Sequence, residues 1–294
     1  MVTGIRQDDD NPAVRAVEAL MALLYPDGHP YGRRLKGTAE TVEQTTRERL
    51  LALHRRHFGP GDLSVIVVGD VPTDQARDDA ARVFGEWTRD KPPAIPLARP
   101  SRAASRRRVV IPMMNKAQAD IAYGFVAIKR ADPAYEAFRL MNNALGQYAI
   151  GGRLGDSIRE RQGMAYYVFS SLDANVVEGP LVVRAGVSPA NVDRTIASID
   201  QEIARLVREG LTEQELTESR QYLVGSLPRT LETNAGIAQF LQTVEFFGLG
   251  LDYDVRIPDL LAALTLDDVH AAAARVLDAD RATIVIAGPY EAIG

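Results

Sequence analysis

The sequence predicts an α+β fold made of duplicated repeats, a mixed β-sheet with helices packed on one face, the first repeat truncated. Residues 46 to 69 and 265 to 288 align without a gap at a constant offset of 219. Thr46 falls on Thr265, Glu48 on Asp267, Leu50 on Val269, Phe58 on Leu277, and Val65-Ile66-Val67-Val68-Gly69 on Ile284-Val285-Ile286-Ala287-Gly288. Self-similarity at fixed spacing marks duplicated architecture. Some apolar runs of strand length are separated by helical stretches and others by hairpin-length gaps, the pattern of a mixed sheet. The second copy follows a long run of residues and the first follows only 45, so roughly half a repeat is expected to be missing upstream of Met1.

The elements follow from caps and periodicity. Asn11-Pro12 opens a helix to about Leu24, with Val14, Val17, Leu20, Met21 and Leu24 on one face and proline at the first helical position. The loop Asp27-Gly28-His29-Pro30-Tyr31-Gly32 follows. Thr45 with Glu48 three residues later has the spacing of a capping box, for a helix to about His57. Gly59-Pro60-Gly61 turns into a strand Leu63 to Val68, and Thr73 begins a helix to about Trp87. Strands are expected near Val109 to Met113 and Asp120 to Ala127, then a helix from Pro133 to Leu145 and a helical segment Arg153 to Arg161. Strands Ala165 to Leu172 and Gly179 to Val187 follow. Helices at about Asn191 to Glu209, Thr212 to Leu231 and Asn234 to Phe247 lead into the second copy of the unit.

Composition narrows the function classes. The 294 residues suit two domains, and 46% hydrophobic residues can fill their cores. A net charge of −5 spread over both halves gives no nucleic-acid surface. The dense basic cluster, Arg102, Arg106, Arg107 and Arg108, lies beside the proline-rich stretch Lys91 to Pro100 and reads as a solvated linker. Without cysteine there is neither a disulfide framework nor thiolate chemistry. No charged-then-apolar leader and no apolar run of about 20 residues occurs, so the expectation is a soluble chain, cytoplasmic by default.

Chemistry has few candidates. His54 and His57 are spaced to share a helix face, but Arg55 and Arg56 lie between them and no carboxylate follows at useful spacing, so they read as caps of a surface helix. His270 reads as an exposed position among alanines. Asp8-Asp9-Asp10 precedes a helix start, where acidic residues complement the dipole. Neither a phosphate loop nor a G-x-S-x-G elbow is present.

Gly151-Gly152-Arg153-Leu154-Gly155-Asp156-Ser157-Ile158-Arg159-Glu160-Arg161-Gln162-Gly163-Met164-Ala165-Tyr166 stands out. Its pattern, R-L-x3-[IL]-R-E-x2-G-[LM]-A-Y, resembles the C-terminal repeat of the pitrilysin, insulinase and mitochondrial processing peptidase family of inverzincin metallopeptidases. His29-Pro30-Tyr31-Gly32, Gly37-Thr38, Phe58 to Asp70, Leu211 to Leu231 and Thr265 to Pro289 match the same family in the same order. The resemblance implies residues 1–90 as the C-terminal half of a first repeat, 91–106 as a Pro/Arg-rich linker and 107–294 as a complete second repeat.

In the resembled family the first of two repeats carries zinc, with H-x-x-E-H supplying two histidine ligands and a glutamate that activates water. This chain has no H-x-x-E-H. The third ligand is expected in a segment like E-I-x4-D-x-P. Gly4-Ile5-Arg6-Gln7-Asp8-Asp9-Asp10-Asn11-Pro12 matches it and puts Gly4, which has no donor, at the ligand position; Glu18 is an alternative carboxylate or simply a polar helix position. No cofactor is therefore expected in this chain, zinc lying on the missing half or on a partner.

The resemblance carries substrate-facing roles over to Arg159 and Tyr166. Tyrosine can donate a hydrogen bond to a carbonyl oxygen as it becomes an oxyanion, an effect worth about 3 kcal/mol in other enzymes, and arginine can hold a peptide carbonyl with its fork of donors. The bland alternative is that Arg159 pairs with Glu160 or Asp156 and Tyr166 packs. Tyr167 is expected on the opposite face if the strand is regular. Gly151, Gly152 and Gly155 resemble small residues that let backbone approach the cleft, where substrate adds as a strand, or they are ordinary loop glycines. The implied function is a substrate-binding subunit, inactive alone, that completes the site of a zinc-bearing partner or acts in a homo-oligomer. The alternatives are a C-terminal fragment of a single-chain zinc protease and a non-enzymatic core-type subunit.

Overall fold

The computed structural model describes residues 1–88, 96–147 and 151–291. They form two compact units: residues 1–38, 97–224 and 258–294, and residues 39–96 and 225–257. Of the stretch Lys91 to Pro100 expected as linker, residues 91–95 lie outside the described residues.

The first unit is built on a five-stranded sheet of β1 (Arg107–Pro112), β2 (Ala119–Val126), β3 (Ala165–Leu172), β4 (Pro180–Val187) and β5 (Thr283–Gly288). Their order is β1-β5-β2-β4-β3. The β1–β5 pair is parallel and the others antiparallel, so the sheet is mixed as the sequence predicts. Every residue of β2 and of β5 is buried, because both faces of the sheet are covered there. Helix α1 (Val2–Asp9), which the periodicity did not reveal, buries Ile5. On one face lies α2 (Pro12–Leu24), started by Asn11, whose side chain accepts from the Ala13 N–H, with Pro12 at the first helical position.

The stripe Ala16, Leu20, Leu24 and Tyr25 packs on Ala122, Val126, Val182, Val285 and Ala287, each aliphatic side chain contributing about 1.5–3 kcal/mol by burial. Gly124 admits the helix: a Cβ there would lie 2.8 Å from Leu20 Cδ2. Tyr123 points to the other face. Its hydroxyl donates to Asp200 at 2.8 Å on α7 (Val192–Glu209). Arg106 holds the same carboxylate with two bonds of 3.0 and 2.9 Å.

The basic cluster stays in contact with solvent, but three of its four arginines are also tied down by hydrogen bonds. Arg106 also donates to Ala279 O, Arg108 donates to Asp193, and Arg102 donates to the carbonyls of Arg275 and Ala127. These arginines fasten the chain entering β1 to the helices and loops around it; Arg107 is exposed.

The second unit contains α3 (Ala39–Glu43), α4 (Arg47–His57), α5 (Thr73–Phe84) and α9 (Asn234–Phe247). Helix α4 begins one residue later than Thr45 predicts. Thr46 is the cap, accepting from Arg49 N at 3.4 Å, while Thr45 donates to Thr41 O. In the second copy Thr265 caps α11 (Leu266–Val276) in a reciprocal box with Asp268. Arg49 occupies the Asp268 position of the first copy, so half of the box is lost.

The predicted strand Leu63 to Val68 forms neither strand nor helix and pairs with no strand among the described residues. Leu63, Val65 and Val67 are 40%, 47% and 53% exposed. The matching run of β5 is wholly buried because β1 and β2 flank it. A strand is completed by its neighbours' hydrogen bonds, which its own residues cannot supply.

Candidate substrate-binding face

The segment from Arg153 to Tyr166 is anchored at its start. Buried Arg153 donates to Glu215 of α8 (Glu213–Thr230) and to Gly210 O at 2.7 Å. Gly152 permits close packing of backbone on backbone, since its Cβ would stand 2.8 Å from Gly146 Cα. Gly151 is exposed and Gly155 buried. Gly155–Arg161 forms a π-helical turn, a distortion found often at functional sites. It closes through Gly163, at φ +62°, whose N–H donates to Arg159 O at 3.1 Å, while Met164 N donates to Ile158 O. Glycine is required at that left-handed position. Arg159, at the end of the turn, keeps 44% of its side chain exposed and stands 3.7 Å from Glu160; Arg161 takes Asp156 instead.

Strand β3 is irregular where it leaves this turn. Ala165 pairs with Val187 and Tyr167 with Gly186, leaving Tyr166 as the extra residue of a β-bulge. Ala165 and Val168 are both buried, and two tyrosines stand between them where a regular strand would leave room for different faces. The expected strict alternation of Tyr166 and Tyr167 is thus broken. Tyr166 is 64% exposed, and among the described residues its phenol has no hydrogen-bond partner. Arg159 and Tyr166 are brought to two ends of one short turn and strand start, with no bond between them.

Tyr167 lies across the sheet. Its hydroxyl donates to Asp120 of β2, which also accepts from Gln118 Nε2 at 3.2 Å. The path crosses Gly186 of β4, where a Cβ would come within 2.4 Å of both the Tyr167 ring and Gln118 Nε2. Burial pushes the Asp120 carboxyl above the ordinary aspartate range, against the lowering effect of Tyr167, Gln118 and Arg184. Burial, then the Asp120 carboxylate, pushes the Tyr167 phenol upward, so it remains a donor. Arg184 lies over the Phe169 ring at 5.4 Å. Sequence reasoning missed this cluster; its signal was a charge and a glycine inside strands, Asp120 in an apolar run and Gly186 beside Arg184.

Metal chemistry has no donor set here. Among the described residues no group of three or more His, Asp or Glu is placed to hold an ion. Gly4 lies in α1 with no donor to offer. Glu18 is taken by Arg34 at 2.9 Å and Arg15 at 3.4 Å. Asp8, Asp9 and Asp10 pair with Lys36, Arg34 and Lys116 rather than serving α2 by charge alone. His54 stacks on Phe58 and Trp87. His270 is half-buried, not exposed, and its Nε2 bonds Val207 O at 2.7 Å. His29, buried, accepts from Tyr31 N–H at Nδ1 and donates from Nε2 to Ala98 O. Among the described residues the side chains present do not fit a zinc ion.

The sequence profile described as Peptidase M16 inactive domain matches residues 44–223. The chain belongs to this M16 peptidase family. A solved M16 inactive domain from Pseudomonas fluorescens is similar over 99% of this chain and 68% of its own, with 28% identity and a TM-score of 0.88. An uncharacterized zinc protease of Streptomyces coelicolor is 28% identical over 98% of this chain and 63% of that protein. A probable inactive metalloprotease of Bacillus subtilis is 21% identical over 84% of this chain and 57% of its own length. This M16 chain thus spans less than two thirds of the Streptomyces relative. Zinc is named in its relatives, and no described helix of the M16 chain is long and apolar enough to cross a membrane.

Proposed function

We propose that this M16 chain binds peptide and completes the active site of a zinc-bearing family partner, without hydrolysing peptide alone. The observation that carries the reading is the exposed, unpartnered Tyr166 phenol, projected by a bulge one turn beyond exposed Arg159. Arg159 holds a backbone carbonyl of the extended peptide, and Tyr166 donates to the carbonyl oxygen under attack as its negative charge grows. Gly151, Gly152 and Gly155 shape the backbone in front of Arg159. Asp120 is buried and Tyr167 half-buried, so neither is placed to act as the reacting group.

The partner docks on the second unit. Leu63, Val65 and Val67 present exposed apolar side chains on a segment that pairs with no strand among the described residues, whereas their duplicates in β5 are sealed between β1 and β2. The occupant is a sheet-bearing half repeat of the partner that supplies strands as β1 and β2 do. A single-chain zinc protease, with H-x-x-E-H upstream of the residues given, is the alternative; it is supported by relatives that extend beyond the matched span.

The test mixes the purified chain with a zinc-bearing M16 partner and an internally quenched decapeptide. Cleavage by the mixture and by neither protein alone, weakened by Arg159→Ala and Tyr166→Phe, is expected. Failure of the two proteins to bind and to cleave overturns the reading.

A further inference from the structure

The bulge that turns Tyr166 outward needs a cause, since a regular strand is the lower-energy default for Ala165–Leu172. The sheet around it has one unusual construction. Tyr167 spans from β3 over β4 to β2, and its hydroxyl ends on the buried carboxylate of Asp120. Gln118 closes on the same carboxylate from the side, 3.2 Å from each oxygen. Gly186, paired with both Asp120 and Tyr167, is the floor that lets the ring lie flat over the strand.

Register fixes the consequence. Ala165 sits opposite Val187, and Val168 sits opposite Ala185. Between them β4 contributes one residue, Gly186, and β3 contributes two, Tyr166 and Tyr167. The bond to Asp120 claims Tyr167 for the place opposite Gly186, so Tyr166 is expelled as the surplus residue. Without that bond, either tyrosine can occupy the place, because a one-residue slip exchanges their faces.

We propose that Asp120, Gln118 and Gly186 act through Tyr167 as a positioning device that selects Tyr166 as the residue presented to peptide. Asp120 and Tyr167 are positioning residues, not catalytic ones. The proposal rests on the peptide-binding reading of Tyr166 for its functional consequence, but its geometry stands independently.

The experiment labels the tyrosines of the full chain with fluorotyrosine and assigns the Tyr166 fluorine resonance by its absence in Tyr166→Phe. Binding of a dye-labelled decapeptide of mixed sequence is followed by anisotropy on the same samples. Tyr167→Phe, which deletes only the anchoring hydroxyl, is expected to move or split the Tyr166 resonance and to weaken peptide binding about tenfold. The double variant Tyr166→Phe, Tyr167→Phe is expected to bind no worse than Tyr166→Phe, since both act through one phenol. Asp120→Asn, whose amide oxygen still accepts from Tyr167, is expected to keep the resonance in place, and Asp120→Leu to move it. An unmoved Tyr166 resonance in Tyr167→Phe and Asp120→Leu overturns the proposal. A moved resonance with peptide binding unaffected by Tyr166→Phe supports the positioning and instead overturns the peptide reading.

Discussion

Arg153 and Glu215 are joined by two bonds, Nε to Oε1 at 2.6 Å and Nη2 to Oε2 at 2.8 Å, with 5% and 24% of their side chains exposed. The pair ties the start of the π-helical turn to α8, and Glu215 also accepts from Thr212 N. Burial raises the Glu215 carboxyl, but the Arg153 bond, the Thr212 N–H and the Arg153 charge outweigh it, and the net shift is downward. A carboxyl lowered on folding adds stability that is complete above its unfolded value and lost as pH falls through the folded one. Glu215→Gln strands a buried guanidinium and is expected to cost about 3 kcal/mol at neutral pH. The deficit shrinks below the ordinary glutamate range, where wild type also loses the charge; urea unfolding at both pH values measures this.

Arg159→Ala and Tyr166→Phe change exposed side chains, so unfolding free energy is expected to stay within about 0.5 kcal/mol of wild type. Turnover of the quenched peptide by the mixture with the zinc-bearing partner falls, by about 100-fold for Tyr166→Phe. Equal losses of stability and turnover would assign both residues to packing.

Val67→Lys is expected to leave the chain's own melting temperature unchanged, because Val67 is 53% exposed. Partner binding, read by analytical ultracentrifugation, is lost, since a charge then faces the incoming strand. The equivalent Ile286→Lys buries a charge in β5 and is expected to prevent folding.

Two glycines separate close approach from open space. A Cβ at Gly32 would lie 2.2 Å from Tyr25 O, and Gly32→Ala is expected to destabilise by about 2 kcal/mol. Gly225, inside α8, meets nothing within 4 Å, and Gly225→Ala is expected to stabilise by about 0.5–1 kcal/mol. Thermal unfolding of both variants gives the two signs directly.

Zinc added to the purified chain and removed by gel filtration is expected to leave less than one equivalent by elemental analysis. Gly4 offers no donor and Glu18 is held by Arg34. One equivalent of tightly bound zinc would require a donor set other than these residues.

The legible part of the fold was local. Asn11-Pro12, Thr265 and the apolar runs of β2, β3 and β4 announced their elements to within a residue or two, because caps and alternation act over a single turn or strand. Helix α1 was invisible, since one buried residue, Ile5, gives no period. Thr45 and Thr46 both offered a hydroxyl, and only backbone geometry chose between them. For the site, the motif around Arg159 and Tyr166 was readable by resemblance. The Tyr167–Asp120 bond was not, because 47 residues and an intervening strand separate its partners.

The sequence by itself determined the duplication, the mixed sheet and the lack of H-x-x-E-H in these 294 residues, and by resemblance it singled out Arg159 and Tyr166. Tertiary structure decided which copy became a strand: similarly apolar runs are buried in β5 and exposed at Leu63, Val65 and Val67, because hydrogen-bonding neighbours, not the run itself, complete a sheet. It also decided which tyrosine turns outward. Adjacent tyrosines have the same intrinsic preference, and a distant carboxylate under a glycine breaks the tie.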